Sequence, residues 1–232
     1  MGTGSLCLVL ALELAVVGWE PSSIRRLCHP GKSEFTDIII WLLYGGILSG
    51  LFLTIGSLGL THVAAQAASF IRAVAPHLDT GSTLANIALC LLLNDLLLYW
   101  VHRAFHSKLL WPIHRFHHSA ERLNPLVKFR NQPIYMAFNP LIDTTAVALI
   151  ASPWPVFPAV FLFHQLLVHS VVPWSWGALG RWVVVPPSAH AIHHSHDPRF
   201  YNRNFGATLI VWDRLFGTWA SSTVHRAAPS LR

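Results

Sequence analysis

Apolar residues come in long runs along this chain, and polar residues come in short clusters between them. Residues 37–60 (DIIIWLLYGGILSGLFLTIGSLGL) and 84–101 (LANIALCLLLNDLLLYWV) have the length of membrane-crossing helices, which need about 20 mostly apolar residues. Residues 134–151 and 155–172 are parted only by Ser152-Pro153-Trp154. They predict a helical hairpin, since Pro153, Pro155 and Pro158 suit a turn and the start of the next helix. A fifth run, 5–18 (SLCLVLALELAVVG), is short and carries Glu13 in its middle. It lacks a basic start and leads into Trp19-Glu20-Pro21 in place of a small-residue cleavage site. It predicts a short interfacial or partly inserted helix and not a signal peptide. The whole pattern predicts an all-α integral membrane protein with about four transmembrane helices, forming one membrane domain over 1–232.

Composition narrows the class. Hydrophobic residues make up 53% of the 232 and charged residues 11%, against about 25% charged in soluble domains. This excludes an ordinary soluble enzyme and a disordered chain. The net charge of +6 does not point to nucleic acid, because the basic residues are scattered between apolar runs. Their placement orients the spans instead. Every lysine and arginine except Arg72 precedes the first span, lies in 102–133 or follows 173, which is one face of a four-span topology. The positive-inside rule makes that face cytoplasmic: an endoplasmic reticulum membrane in a eukaryote, an inner membrane in a bacterium. Cys7, Cys28 and Cys90 are isolated and predict no disulfide framework.

The 15 histidines outnumber the 10 acidic residues, and an imidazole is costly to place in lipid without a purpose. They gather in three clusters on the basic face: His102-x-x-x-His106, His114-x-x-His117-His118 and His190-x-x-His193-His194. On a helix, positions three and four apart lie on one side, so each cluster aims its imidazoles one way. A metal needs this arrangement: several nitrogens converging without backbone strain. The clusters supply more nitrogens than one ion takes, which favours two ions. His102 continues the second span directly after Tyr99-Trp100, an aromatic pair suited to the membrane interface. Together they predict a histidine-rich helical cap on the cytoplasmic ends of the spans. Asp95, seven residues earlier on the same helical face, is a candidate to accept the far ring proton of a ligand, or forms with Asn94 a polar pair lining the bundle interior. Each HxxHH is preceded by a proline (Pro112, Pro187) and followed by Ser, one residue and an acid, Glu121 or Asp197. These acids are candidates for the same outer role, or are solvated loop acids.

The HxxxH, HxxHH, HxxHH order around a membrane hairpin resembles the fatty acid hydroxylase / sterol desaturase superfamily. Further stretches agree: Asn124 and Arg130 after the first HxxHH, Val168-His169-Ser170 at the end of the hairpin, Asn204-Phe205-Gly206, and Trp212-Asp213-Arg214-Leu215-Phe216-Gly217-Thr218. The resemblance covers residues 84–220 and leaves 1–83 without a role. It implies a non-haem centre of two iron ions, with zinc a possible occupant in purified protein, and His169 as a ninth ligand. It also implies dioxygen as co-substrate, hydroxylation or desaturation of a lipid C–H bond, a substrate drawn from the bilayer, and an external electron donor (ferredoxin, cytochrome or reductase). Two departures are Gln132, where relatives often have a histidine, and Val171, where they often have asparagine. His164 sits about 140° around its helix from His169 and is expected to point elsewhere. A membrane zinc-dependent lipid hydrolase and a non-enzymatic membrane metal-binding protein remain the alternatives.

Overall fold

The computed structural model describes residues 2–47, 79–135 and 157–221, together with positions 66, 69, 70, 73, 142, 143 and 146. The described residues are helical and contain no strand. Most of the predicted 134–151 arm and the second half of the 37–60 run lie outside them. The chain divides into two compact units. The first comprises Met1–Ile38, His117–Lys128 and Ala159–Arg232; the second comprises Ile39–Phe116 and Phe129–Pro158.

In the first unit the 5–18 run forms helix α1, Gly2–Val17. It buries one stripe, Leu6, Val9 and Glu13, whose spacing is that of a helix face. Gly18, at φ +79°, ends the helix in the left-handed conformation that favours glycine. Helix α2 (Ser23–Cys28) is capped by the Ser22 side chain, which accepts from the Arg25 N–H. Helix α3 (Lys32–Trp41) opens the 37–60 run and continues as a π-helical turn, Leu42–Ile47.

The second unit holds α4, Thr83–Phe105. It is the one helix among the described residues that is long and apolar enough to cross a membrane. At about 1.5 Å per residue its 23 residues reach about 34 Å, matching a hydrocarbon core of about 30 Å. Within it Asn94 donates to Asp143 at 2.7 Å, so a polar residue in an apolar run is satisfied by a second polar residue 49 positions later. Tyr99 differs from the expected outward aromatic pair: Trp100 is exposed, but Tyr99 is fully buried and its hydroxyl accepts from Arg103.

Helix α5 (Trp111–His118) has Pro112 in its first turn. The later helices are α6 (Phe157–Val168), α7 (Gly177–Trp182), α8 (Pro187–His193) and α9 (Val211–Leu215). Pro187 occupies the first position of α8, where a missing N–H costs nothing. Val168, Val185, Ala189 and Ile210 pack as a small core of the first unit, with Trp219 against them. This core joins the end of α6 to the start of α8, the two places from which His169 and His190 project.

Candidate metal centre

Four histidines converge in the first unit. His117 comes from the end of α5, His169 from the residue after α6, and His190 and His194 from α8 and its C-cap. One ring nitrogen of each lies within 4.8 Å of the others. Successive Nε2 atoms stand 3.3 Å apart for His117 and His169, 3.0 Å for His169 and His190, and 3.2 Å for His190 and His194. His118 and His193 face each other beside them, with ring centroids 4.7 Å apart.

Backbone carbonyls fix which nitrogen is offered. His169 Nδ1 lies 2.6 Å from the Gln165 carbonyl and His193 Nδ1 lies 2.8 Å from the Arg203 carbonyl. A carbonyl can only accept, so in both rings Nδ1 carries the proton and a neutral ring presents its lone pair at Nε2. Gln165 is itself anchored, donating from Nε2 to the Ala207 carbonyl at 2.7 Å. Such carbonyl-held imidazoles are the usual support of metal ligands.

The donor set fits a metal. Nitrogens about 2.1 Å from one cation stand about 3.0 Å apart at a right angle and about 3.4 Å apart at a tetrahedral angle. The observed 3.0–3.3 Å separations fall in that interval. Hydrogen bonding alone accounts for them poorly, because the single Nε2 lone pair of His169 cannot accept from His117 and His190 at once.

The second unit assembles its own cluster. His102 and His106, near the end of α4, meet His114 of α5 with ring centroids 4.9–5.3 Å apart. Tyr135 stacks on His114 at 5.0 Å, and Phe105 meets Tyr135 edge-on at 4.8 Å. Neither aromatic residue was singled out by the histidine spacing.

The acids fall in different places. Asp95 is buried in α4. Glu121 is exposed, and its backbone N–H donates to Ser33. Asp197 caps the short helix Pro198–Phe200 and pairs with Arg199. His164 points away from the cluster, Nε2 donating to the Val185 carbonyl at 3.0 Å.

A further acid, Asp213, does more for the site's shape. Fully buried, it accepts from the N–H groups of Phe205 and Gly206 at 2.7 and 2.8 Å and from the Thr218 hydroxyl at 2.7 Å. Asn204, in the left-handed region at φ +54°, donates to the Ala189 carbonyl within α8. Gly206 is required because a Cβ there would stand 2.5 Å from the Leu209 carbonyl oxygen. The Asn-Phe-Gly and Trp-Asp-Arg-Leu-Phe-Gly-Thr stretches thus brace the helix that carries three histidines.

A family model for fatty acid hydroxylases matches residues 87–218, more than half of the chain. The chain belongs to the fatty acid hydroxylase family. All nine histidines of the expected ligand set lie within the matched region. Among curated relatives of this hydroxylase family member, an alkylglycerol monooxygenase of Danio rerio is 33% identical over 129 residues, covering 54% of this chain and 28% of the relative. An ornithine lipid hydroxylase of Rhizobium tropici is 34% identical over 138 residues, 58% of this chain and 41% of the relative. A lathosterol oxidase of Mus musculus is 26% identical over 146 residues, 59% of this chain and 45% of the relative. The aligned part is less than half the length of each. No solved structure matches.

Proposed function

We propose that this protein is a membrane-embedded, oxygen-dependent hydroxylase or desaturase of a lipid C–H bond, using two iron ions held by His102, His106, His114, His117, His118, His169, His190, His193 and His194. The observation that carries this reading is the four-imidazole cluster of His117, His169, His190 and His194. Its family membership and its relatives, named for oxidising an alkylglycerol, an ornithine lipid and a sterol, support the substrate class. Imidazole suits iron and zinc alike, so the choice of iron rests on the family resemblance.

When bound, iron supplies the dioxygen activation that side chains alone cannot perform. The chain's residues prepare for it. The Gln165 and Arg203 carbonyls engage Nδ1 and leave Nε2 as the nitrogen that His169 and His193 would offer a metal, while the buried shell limits access of water. Hydroxylation consumes a C–H bond, dioxygen, two electrons and two protons and yields an alcohol and water. Desaturation with the same inputs removes two hydrogens and yields two waters. Both need an external electron donor, which the basic segments 102–133 and 173–232 would receive on the cytoplasmic face. The four-span topology belongs to the same reading and is supported by the segregation of basic residues and by the apolar α4.

The test is lipid mass spectrometry on cells with and without the gene, combined with metal analysis of the purified protein. One added oxygen or two lost hydrogens on a lipid, dependent on air and iron, is the expected result. A hydrolysed lipid with bound zinc and no oxygen requirement would instead establish the hydrolase.

A further inference from the structure

Glu13 is fully buried on the stripe of α1 that also buries Leu6 and Val9. A carboxylate there is costly unless its oxygens are satisfied, and both are. One oxygen accepts from the Ser23 N–H that opens α2. The other accepts from the Ser23 hydroxyl at 3.0 Å and from the Val171 N–H at 3.1 Å. Val171 lies two residues beyond His169, in the turn that follows α6. That turn is otherwise held by Ser170, whose hydroxyl donates to the Leu167 carbonyl at 2.6 Å.

The same N-terminal segment grips the chain that follows the first HxxHH. Arg26 donates to the Leu123 carbonyl at 2.8 Å, Asp37 accepts from the Asn124 amide at 2.9 Å, and Ser33 accepts from the Glu121 N–H at 3.2 Å. Every one of these residues lies in the first unit. Residues 13–37 stand outside the family-matched 87–218, yet they tie down chain next to His118 and next to His169.

We propose that Glu13 is a positioning residue for His169: its carboxylate pins the Val171 peptide and so sets where the imidazole stands in the four-histidine cluster. The inference rests on reading that cluster as a metal site. With Gln165 fixing the ring's tautomer from α6 and Glu13 fixing the backbone beyond it, His169 is held from both sides. In Glu13→Gln one carboxylate oxygen is replaced by an NH2 that can only donate, so at least one of the three donors now on the carboxylate loses its acceptor.

The experiment uses the full chain in nanodiscs, loaded with cobalt(II). Affinity is read by chelator competition and ligand geometry by the visible cobalt bands. Glu13→Gln is expected to weaken cobalt binding about tenfold or more, the range seen when a group behind a ligand is removed, and to shift the bands. Val9→Ala, on the same buried stripe, is expected to lower the unfolding temperature with affinity and bands unchanged. Should Glu13→Gln fail to accumulate, Glu13→Asp withdraws the carboxylate by one methylene and is expected to show the same loss. Wild-type affinity and bands in the Glu13 variant, or equal changes in Val9→Ala, overturn the proposal. His169→Ala separates the two failures. If it weakens cobalt binding and Glu13→Gln does not, only the role of Glu13 falls. If His169→Ala leaves cobalt binding intact, the metal reading falls and takes Glu13's role with it.

Discussion

The Nδ1 atoms of His169 and His193 face backbone carbonyls, so Nε2 is the nitrogen each ring has left to offer a cation. Replacing either HxxHH member His117 or His193 by alanine is therefore expected to abolish activity and to lower the bound metal, read by elemental analysis; full activity in either variant would sink the oxygenase reading. Asp213 behaves differently, since the donors it holds are the Phe205 and Gly206 backbone and the Thr218 hydroxyl. Asp213→Ala strands two buried backbone N–H groups and one hydroxyl, at about 1–3 kcal/mol for each unsatisfied buried group. A fall of several degrees or more in the unfolding temperature is the expected outcome. Residue types at helical spacing announced the histidines. Tyr135 and Glu13 were not legible in the same way, because their roles depend on partners distant in sequence; Asp213 stood in a stretch the resemblance picked out, but its hold on the Phe205 and Gly206 N–H groups follows no helical spacing. Glu13 did stand out as an acid in an apolar run, but nothing in the run indicated that Val171 would meet it.

Among the elements, α4, α5 and α8 are those the pattern predicted best. Apolar length marked α4, and a proline ahead of an HxxHH marked the other two. What the pattern missed is how α4 satisfies its own polar residues. Asn94 and Asp95 are both buried inside the apolar run, and Asn94 donates to Asp143 across a long sequence gap that no local pattern marks. A double-mutant cycle on Asn94→Leu and Asp143→Leu is expected to show a coupling of about 0.6 kcal/mol, with about 1.7 kcal/mol as the upper end for such pairs within membranes. Additive effects would mean that the pair contributes nothing beyond its separate residues. The short α8 depends on its neighbours more than on its own seven residues. Helices this short are marginal alone, and Asn204 and the small core around Val185 and Ala189 supply the support. Gly206→Ala, with its Cβ meeting the Leu209 carbonyl oxygen, is expected to loosen that support and lower metal occupancy at unchanged helix content.

For the molecule as a whole, the reading predicts two iron ions per chain, removed by chelation together with all oxygen-dependent lipid oxidation and restored by iron(II). Elemental analysis before and after chelation checks the count. The helical class and the histidine clusters were legible in the sequence because both are local patterns repeating every three or four residues. The N-terminal ties were not, because they join residues far apart in the chain, and no periodicity encodes such pairs. The tie between Glu13 and Val171 spans 158 positions, which has a consequence for synthesis. At about 5–20 residues per second, roughly 8–30 s separate the appearance of the two residues from the ribosome. During that interval the nascent first helix carries a carboxylate on its apolar stripe whose final peptide partner does not yet exist. The tie between Glu13 and the Val171 peptide can therefore form only late, whereas the bonds to Ser23 can form as soon as α2 has been made.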